Sequence, residues 1–537
     1  MPSSKNKSAN INRPKKVNPA RASGADLSFW QATTKPLEFA TLNEDLSVNT
    51  VIVGGGIAGI TTAYLLAKQG RSVALLEDGY LASGETGRTT AHLVNALDDR
   101  YYDLENYFGK EGARKAAESH SAAVDLIEYN VTTENIDCDF QRLPGYLFLH
   151  PSDKKDSLKK ELEATRNAGI NTELLNSVPG IPSEPGPCIM FPFQAMFHPL
   201  KYIAALANTI VKQGEKIYTK THVTKVDSSG VVTSNGHSVK AEHIVIATGT
   251  PIHRTFEIHT KQEAYRTYVI GATVPKDSLP RALWWDTGDQ ESTWNIYPYH
   301  YARLQNYDDE FDLLIVGGED HKTGQPDKEG IEEEMRFDKL IKWTTERFPV
   351  QEVLYKWSGQ VMEPVDSLAF IGRDPAESKG NIYFFTGDSG NGMTHGTLAG
   401  IIISDMIAGG ENPWASLYDP SRKSLKTATD FVEANINVAK QYTEFLSGGD
   451  VDSVKQIAPD HGAIVRMGTS KAAVYRDKSG NIHAYSAVCP HLKCIVEWND
   501  EEKSFDCPCH GSRFTCYGKV TNGPANTDLT AADIKDE

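Results

Sequence analysis

The chain has 537 residues, of which 39% are hydrophobic and 23% charged, and its formal net charge is −16. These proportions are those of a soluble globular protein with two or three domains. The acidic balance argues against nucleic acid as the main partner, and no apolar run is long enough to predict a membrane span.

The N-terminal segment 1–26 is predicted to be a disordered basic tail. Its first 25 residues contain six Lys and Arg, no acid, and many Ser, Asn and Pro. The segment lacks the apolar core of a secretory signal, so we expect a cytoplasmic protein; a weak transit peptide is the alternative.

A strand, a glycine-rich turn, a helix and a second strand open the globular part of the chain. The β-branched run 49–53 predicts a buried parallel strand, 60–68 a helix, and 71–77 the next strand. Gly70 is expected to end the helix as its C′ residue. This order is typical of a Rossmann-like α/β domain that binds a dinucleotide.

The turn in this unit has the G-x-G-x-x-G spacing of dinucleotide sites. Its first glycine allows the tight turn, its second lets the backbone approach the pyrophosphate, and its third lets the helix pack on the sheet. The helix N-terminus favours phosphate, and an acid at the end of the second strand can accept from a ribose hydroxyl. The predicted contacts are Gly54, Gly56, Ile57, Ala58, Gly59 and Glu77.

The middle of the chain mixes helices and strands. We expect an α/β FAD-binding Rossmann-like domain over 27–445, with a β-rich substrate section inserted at about 100–220 and 255–365. Helices are predicted over 110–129, 153–168, 199–213 and 331–346, and strands over 145–149, 223–226, 243–247 and 313–316.

Three further segments decide between FAD and NAD. They are 84–92 (GETGRTTAH), 244–249 (IVIATG) and 386–396 (TGDSGNGMTHG). Together with the glycine turn they resemble the FAD-dependent D-amino-acid-oxidase-like superfamily, which includes the glycine and sarcosine oxidases, over about 48–410. The resemblance implies FAD as cofactor and a small organic substrate.

The same resemblance implies further contacts to FAD. The late glycine turn would lie at the pyrimidine end of the flavin, where its amides stabilise negative charge on the reduced ring. Covalent attachment of FAD through His92 is a lesser alternative to a packed histidine. The implied FAD contacts are Arg88, Thr89, Thr90, Val223, Thr248, Gly387, Gly390, Asn391, Gly392, Met393 and Thr394.

The candidates for catalysis are His395, Arg266 and Tyr268. Arg266 would suit a substrate carboxylate by bidentate pairing, and His395 lies within the late glycine turn. No second dinucleotide fingerprint follows a strand, so an organic substrate is preferred over NAD(P)H as the electron source. The other candidates are Tyr265, Tyr297, Tyr299, His300 and His321.

Five of the seven cysteines fall within 489–516, which points to metal rather than to a disulfide scaffold. Cys489 and His491 form one pair, and Cys507 and His510 form another. Zinc also accepts two Cys and two His, but zinc fingers usually group ligands of one type. One Cys and one His from each half is the Rieske [2Fe–2S] arrangement.

The surrounding sequence resembles the Rieske domain, and an all-β domain is expected over 446–537. The resemblance implies a disulfide between Cys494 and Cys509 and a hydrogen bond from Ser512 to a cluster sulfur. Phe514 occupies a position where high-potential members have Tyr. Loss of that donor predicts a lower reduction potential.

A flavin accepts two electrons and a Rieske cluster carries one. The favoured reading is therefore an oxidoreductase that takes electrons from an amine or amino acid and passes them singly to an external protein, with reverse flow left open. A reductase serving a separate oxygenase is the first alternative, and a redox sensor is the second. A Rieske oxygenase is excluded because the FAD fold occupies the rest of the chain and no 2-His-1-carboxylate spacing appears.

Overall fold

The computed structural model describes residues 26–154, 156–253, 256–292, 297–325, 333–423 and 448–533. The predicted tail, apart from Asp26, and the predicted boundary between the domains near residue 446 lie outside these ranges. None of the helices in the described ranges is long and apolar enough to cross a membrane.

The α-helices of the described ranges lie before residue 420. The longest contains Gly109 in a left-handed conformation, which allows two helical segments to meet there at a kink. The helices are α1 Phe29–Thr33, α2 Ile57–Lys68, α3 Tyr101–Thr133, α4 Asp156–Asn167, α5 Pro199–Lys212, α6 Phe256–His259, α7 Glu333–Arg347, α8 Gly392–Ala408 and α9 Ala415–Tyr418.

The strands before residue 420 belong to two sheets. They are β1 Leu46–Val53, β2 Val73–Leu76, β3 His92–Leu93, β4 Gln141–Phe148, β5 Glu173–Leu175, β6 Cys188–Met196, β7 Lys216–Tyr218, β8 Val223–Asp227, β9 Gly230–Thr233, β10 Ser238–Ile246, β11 Gln262–Pro275, β12 Leu283–Asp286, β13 Tyr301–Asn306, β14 Phe311–Lys322, β15 Glu352–Pro364, β16 Phe370–Arg373 and β17 Ile382–Thr386.

The first sheet has the order β16-β17-β10-β1-β2-β7, with β9 and β8 attached to β10. Strands β17, β10, β1, β2 and β7 are parallel. The second sheet has the order β15-β11-β14-β13-β12-β4-β6-β3, with β5 beside β6, and it is mostly antiparallel. The fold is therefore a Rossmann-like layer joined to a β-rich layer, as expected.

The carboxyl ends of the parallel strands meet at one edge. Val53 pairs in register with Leu76 on one side and with Ile246 on the other. The residues that follow these strands, Gly54, Glu77 and Ala247, therefore lie side by side, where ligands of open α/β sheets bind.

Helices α2 and α8 pack closely because α8 offers glycines at their contact. A Cβ on Gly396 would lie 2.6 Å from Ile57 Cγ2, and one on Gly400 would lie 2.5 Å from Thr61 Cγ2. This packing brings the late glycine turn at the start of α8 beside the first glycine turn.

The C-terminal part is all-β, as predicted. Its sheets have the orders β18-β19-β20 and β21-β22-β23-β24. Its strands are β18 His461–Met467, β19 Ser470–Arg476, β20 Ile482–Ser486, β21 Glu497–Asn499, β22 Ser504–Asp506, β23 Arg513–Thr515 and β24 Val520–Asn522.

The predicted elements agree with the observed ones in type and differ at their ends. Gly70 follows the C-cap of α2 with φ +74°, as predicted. The helix predicted over 110–129 is much longer, because α3 continues through Gly109 to Tyr101.

Candidate functional site

One cavity of about 1280 Å³ crosses the edge where the parallel strands end. It begins at the first glycine turn, passes the late glycine turn and ends against the β-rich sheet. Residues 519–523 and 525–528 of the C-terminal domain form part of its wall. Both domains therefore line the same space.

The nucleotide end of the cavity fits the adenosine and pyrophosphate of FAD. The Glu77 carboxylate lies at the strand end, where it accepts from the amides of Gly55 at 2.6 Å and Gly79 at 2.9 Å. The N-terminus of α2 faces the cavity, and a Cβ on Gly56 would lie 2.9 Å from Thr86 Oγ1. A side chain at Gly56 would thus fill the cradle that the phosphates need.

The C-terminal domain closes the outer side of this nucleotide end. Asn526 donates from Nδ2 to the Val223 carbonyl at 2.9 Å. His222 contacts the Asn526 carbonyl at 3.3 Å and Asp78 at 3.1 Å. The carbonyl of Val223, one of the implied FAD contacts, is therefore engaged in an interdomain hydrogen bond.

The late glycine turn forms the middle of the cavity. A Cβ on Gly390 would lie 1.6 Å from Asp98 Oδ2, so the Asp98 carboxylate rests directly on this turn. Asn391 donates from Nδ2 to Asp98 Oδ1 at 3.2 Å and lies at the start of α8. The arrangement offers a helix N-terminus at the position predicted for the flavin pyrimidine.

The far end of the cavity, here called the inner end, is lined by aromatic and acidic side chains. Tyr299 and Tyr301 have ring centroids 5.2 Å apart, and Tyr301 is hydrogen-bonded to Thr267 at 2.8 Å. Burial raises the pKa of Asp98 and of Asp320 to about 7. The inner end is lined by Asp98, Asp99, Arg100, Asp103, Glu263, Tyr265, Trp285, Tyr299, Tyr301, Asp320, Glu363 and Asp388.

Most of the residues predicted to contact FAD line this cavity. Gly59, Gly387 and Thr394 are not among the described lining residues. Gly59 serves close packing, since a Cβ there would lie 1.9 Å from the Gly54 carbonyl oxygen. Those that line it are Gly54, Gly56, Ile57, Ala58, Glu77, Arg88, Thr89, Thr90, Val223, Thr248, Gly390, Asn391, Gly392 and Met393.

His395, the catalytic candidate in the late glycine turn, does not line the cavity among the described residues. Its side chain is buried behind the late glycine turn, where Nδ1 contacts the Asp388 carbonyl at 2.9 Å and the ring meets His120 edge-on at 4.4 Å. Burial lowers its pKa to about 4. His395 is absent from the described lining of the cavity and braces α8 against α3.

Arg266 and Tyr268 also point away from the cavity. Tyr268 packs against His321 and Phe337, with ring centroids 5.7 and 5.1 Å away. The Arg266 guanidinium lies 3.2 Å from Glu502 of the C-terminal domain. Their neighbours Tyr265 and Thr267 line the cavity instead, because alternate residues of a strand face opposite sides.

The predicted cluster ligands come together at the tips of two loops. The first loop follows β20 and carries Cys489 and His491; the second joins β22 to β23 and carries Cys507 and His510. The two thiols are buried as neighbours, and the two imidazole centroids are 5.2 Å apart. Two sulfurs and two imidazoles so placed fit a [2Fe–2S] cluster with mixed ligation.

A disulfide joins the two loops, as predicted. It connects Cys494 to Cys509, whose Cα atoms are 6.5 Å apart. The Cys507 sulfur lies within 4.8 Å of both disulfide sulfurs, but bonded sulfurs are not thiolate ligands, so this group is no separate metal site. Ser512 is fully buried, and its hydroxyl accepts from the Ala525 amide at 3.0 Å, so its bond to a cluster sulfur remains a prediction.

The second ligand loop rests on the strands of the FAD domain. Gln360 of β15 lines the cavity, and its Nε2 donates to the Gly511 carbonyl at 3.0 Å. Gln325 donates to the Pro508 carbonyl at 3.1 Å. The His259 ring lies 5.0 Å from that of His491. One residue, Gln360, thus contacts both the cavity and the loop of His510.

A buried charge network fixes this interface. Glu502 enters from the C-terminal domain and lies 3.2 Å from both Arg88 and Arg266 and 3.9 Å from Arg513. It also contacts the Ser358 hydroxyl. Burial opposes ionisation of Glu502, but the three arginines outweigh it and lower its pKa to about 2.

Several of these residues have no sequence signal. Glu502 lies in an acidic turn whose sequence is typical of solvated surface, and Gln360 and Asn526 belong to no motif. Their roles depend on which surfaces of two separate domains meet. Asp98, Asp320 and Glu363 of the inner end were missed because they come together only through the packing of distant segments of the FAD domain.

Comparison with known proteins gives two family matches. The FAD dependent oxidoreductase family matches residues 49–406, and the Rieske [2Fe-2S] domain matches residues 449–533. The two matches correspond to the two parts of the fold described above.

Two relatives and one solved structure illustrate the likeness. The Rieske 2Fe-2S iron-sulfur protein YhfW of Bacillus subtilis is 32% identical, over 96% of this chain and 99% of its own. Gamma-glutamylputrescine oxidoreductase of Escherichia coli is 25% identical, over 71% of this chain and 89% of its own. The crystal structure of glycine oxidase from Geobacillus kaustophilus has a TM-score of 0.56 at 17% identity, covering 70% of this chain and 99% of that one, and shows the shared fold.

Proposed function

The chain belongs to the FAD dependent oxidoreductase family and carries a C-terminal Rieske domain, and from that premise we propose that it oxidises a small amine or amino acid and passes the electrons singly to an external acceptor protein. FAD would take a hydride equivalent from the substrate, and the cluster would carry one electron at a time. The proposed cellular site is the cytoplasm.

The observation that carries this proposal is the position of Gln360. Gln360 lines the cavity in which FAD and substrate would meet, and its side-chain amide donates a hydrogen bond to the loop that carries His510. The cavity and the cluster site are therefore neighbours across a single side chain. Electrons could pass between them without movement of either domain.

We propose Cys489, His491, Cys507 and His510 as the cluster ligands. The buried thiol pair and the facing imidazoles support this set. The Cys494–Cys509 disulfide holds the two loops together. Ser512 accepts from the Ala525 amide at 3.0 Å, which fixes its hydroxyl for donation to a cluster sulfur.

The FAD domain has to orient the substrate and exclude water. The inner end is enclosed by Tyr299, Tyr301 and Trp285, and its carboxylates can take the proton that an amine loses before oxidation. The amides at the start of α8 would stabilise negative charge on the reduced ring. The relative named gamma-glutamylputrescine oxidoreductase supports an amine as the substrate by analogy.

The test is anaerobic rapid mixing of the holoprotein with amines, amino acids and NAD(P)H, with flavin and cluster absorbance followed separately. We expect flavin bleaching by an amine or amino acid, followed by cluster reduction. The matched variant Cys489→Ser should keep the first phase and lose the second. Bleaching by NAD(P)H alone would support the oxygenase-reductase alternative, and a cluster that never follows the flavin would exclude the electron route.

A further inference from the structure

The inner end of the cavity has an excess of carboxylates over cations. Among the described residues that line the inner end, the basic side chain is that of Arg100. The Arg100 guanidinium donates to the Asp286 carbonyl at 3.2 Å. Glu263 also lines the cavity, but it is paired with Lys322 at 2.5 Å. The carboxylates that remain are Asp98, Asp99, Asp103, Asp320, Glu363 and Asp388.

The protein meets most of these carboxylates with neutral donors. The Ser389 hydroxyl lies 2.7 Å from Asp99 Oδ2 and 2.8 Å from Glu363 Oε2, and its single hydrogen can be donated to one of them. Asp388 accepts from the Met362 amide at 2.9 Å. Within the described residues, no ion pair closer than 4 Å joins Asp98, Asp99, Asp320, Glu363 or Asp388 to a basic side chain.

Such a group of half-buried acids around one cavity is costly unless a cation joins it. Burial raises the pKa of Asp98, Asp320 and Asp388 to about 7 and raises that of Glu363 well above its usual range. A ligand with ammonium groups would stabilise the ionised carboxylates and be held by them.

The walls of the inner end favour the same ligand. Tyr265, Tyr299, Tyr301 and Trp285 all line it. Aromatic faces attract ammonium groups through their quadrupole, and the effect is larger where water is excluded. Aromatic and acidic walls together are a chemical signature for an organic cation.

Among the described lining residues of the inner end, the arginine that could anchor a substrate carboxylate is Arg100, and its guanidinium is already hydrogen-bonded to the Asp286 carbonyl. Arg266, the residue predicted for that task, is buried against Glu502 on the other side of β11. Arg88 lines the cavity, yet its guanidinium is held by Glu502 and the Ser358 carbonyl. A carboxylate on the reacting carbon would face acids rather than an arginine.

We propose that the substrate is an aliphatic diamine or polyamine with no carboxylate on the reacting carbon. This deepens the proposed function and rests on it. The reacting carbon loses a hydride to FAD and the nitrogen loses a proton to a carboxylate or to water, so that the C–N bond becomes C=N. Water then adds to this imine and releases an aldehyde and ammonia or an amine, and the external acceptor takes the two electrons.

Two matched pairs of compounds test the proposal on the oxidised holoprotein. Putrescine and ornithine, and cadaverine and lysine, differ only by a carboxylate on one amine-bearing carbon. We expect the diamines to bleach the flavin with a second-order rate constant roughly 100-fold higher than their amino acids. Equal rates, or faster bleaching by ornithine and lysine, would overturn the inference while leaving the proposed function intact. No bleaching by any amine or amino acid would reject the proposed function itself.

Isosteric variants connect the selectivity to the carboxylates. Glu363→Gln and Asp320→Asn should each raise the putrescine concentration that half-saturates flavin reduction about tenfold and reduce the preference over ornithine. The matched control is Glu163→Gln, an exposed acid on α4, which should change neither. A thermal-shift titration with putrescine measures binding apart from reduction and should weaken in the same variants. Unchanged selectivity and binding in both folded variants would contradict the assignment.

Discussion

Replacing Glu502 by Gln removes the charge at the centre of the interface between the domains. The carboxylate lies between Arg88 and Arg266 of the FAD domain and Arg513 of its own domain. The amide keeps the shape of the side chain and one acceptor oxygen. The variant therefore leaves three buried guanidinium groups without their common counter-ion, and we expect a large loss of stability.

The magnitude follows from the pKa of the Glu502 carboxyl. Its fall from 4.5 to about 2 corresponds to about 3 kcal/mol, since each unit is worth about 1.4 kcal/mol. Because the folded-state pKa is depressed, this stabilisation is present above pH 4.5 and is lost as the pH falls towards 2. Removing one partner of a buried pair usually costs about 3–5 kcal/mol, which agrees.

The assay is urea unfolding of the holoprotein at neutral pH, followed separately by flavin fluorescence and by cluster absorbance. We expect Glu502→Gln to lower the free energy of unfolding by about 3 kcal/mol. The matched control is Asp500→Asn, two residues away, whose half-exposed carboxylate pairs with Lys503 at 2.9 Å. A surface pair of that kind contributes less than about 1 kcal/mol.

A double variant separates the charge network from a role of Arg266 in substrate binding. With Glu502→Gln already present, Arg266→Met should cost much less than it costs alone, because the uncompensated charge is then removed. Equal stability of Glu502→Gln and Asp500→Asn would refute the reasoning. So would additive costs of the two substitutions in the double variant.

Two further predictions concern the cofactors. Gly56→Val should abolish FAD binding and keep the cluster, because its Cβ would already lie 2.9 Å from Thr86 Oγ1 where the pyrophosphate must approach; the FAD content per chain measures this, and Gly186→Ala, whose Cβ meets nothing within 4 Å, is the control. Cys489→Ser should lose the cluster's electron paramagnetic resonance signal and retain FAD, whereas Cys516→Ala should keep both, and full retention of iron in Cys489→Ser would exclude it as a ligand.

The sequence predicts those parts of the site that depend on local backbone geometry. The glycines of the first turn, Glu77 and the late glycine turn each follow a parallel strand, and strand ends of one sheet meet at one edge. The cluster loops are equally local, since each carries a Cys and a His within four residues. Spacing along the chain therefore determines their spacing in space.

The catalytic predictions depended on side-chain direction, which the sequence left open. Strand β11 is buried on both faces, so its hydrophobicity does not alternate and does not reveal which face lines the cavity. Arg266 and Tyr268 occupy one face, and Tyr265 and Thr267 occupy the other. Of the candidates on this strand, Tyr265 lines the cavity, whereas the preferred Arg266 and Tyr268 do not.

The contact between the two domains explains why the site contains residues of both. Asn526 donates to the Val223 carbonyl at the nucleotide end, and Gln360 donates to the Gly511 carbonyl near the cluster. Between these two contacts, Glu502 neutralises the buried arginines. These contacts lie along one side of one cavity, so separating the domains would open the nucleotide end and move the cluster away together. We therefore expect a change at this interface to alter cofactor retention and electron transfer together. If the cluster domain were a mobile carrier, the two properties would vary independently.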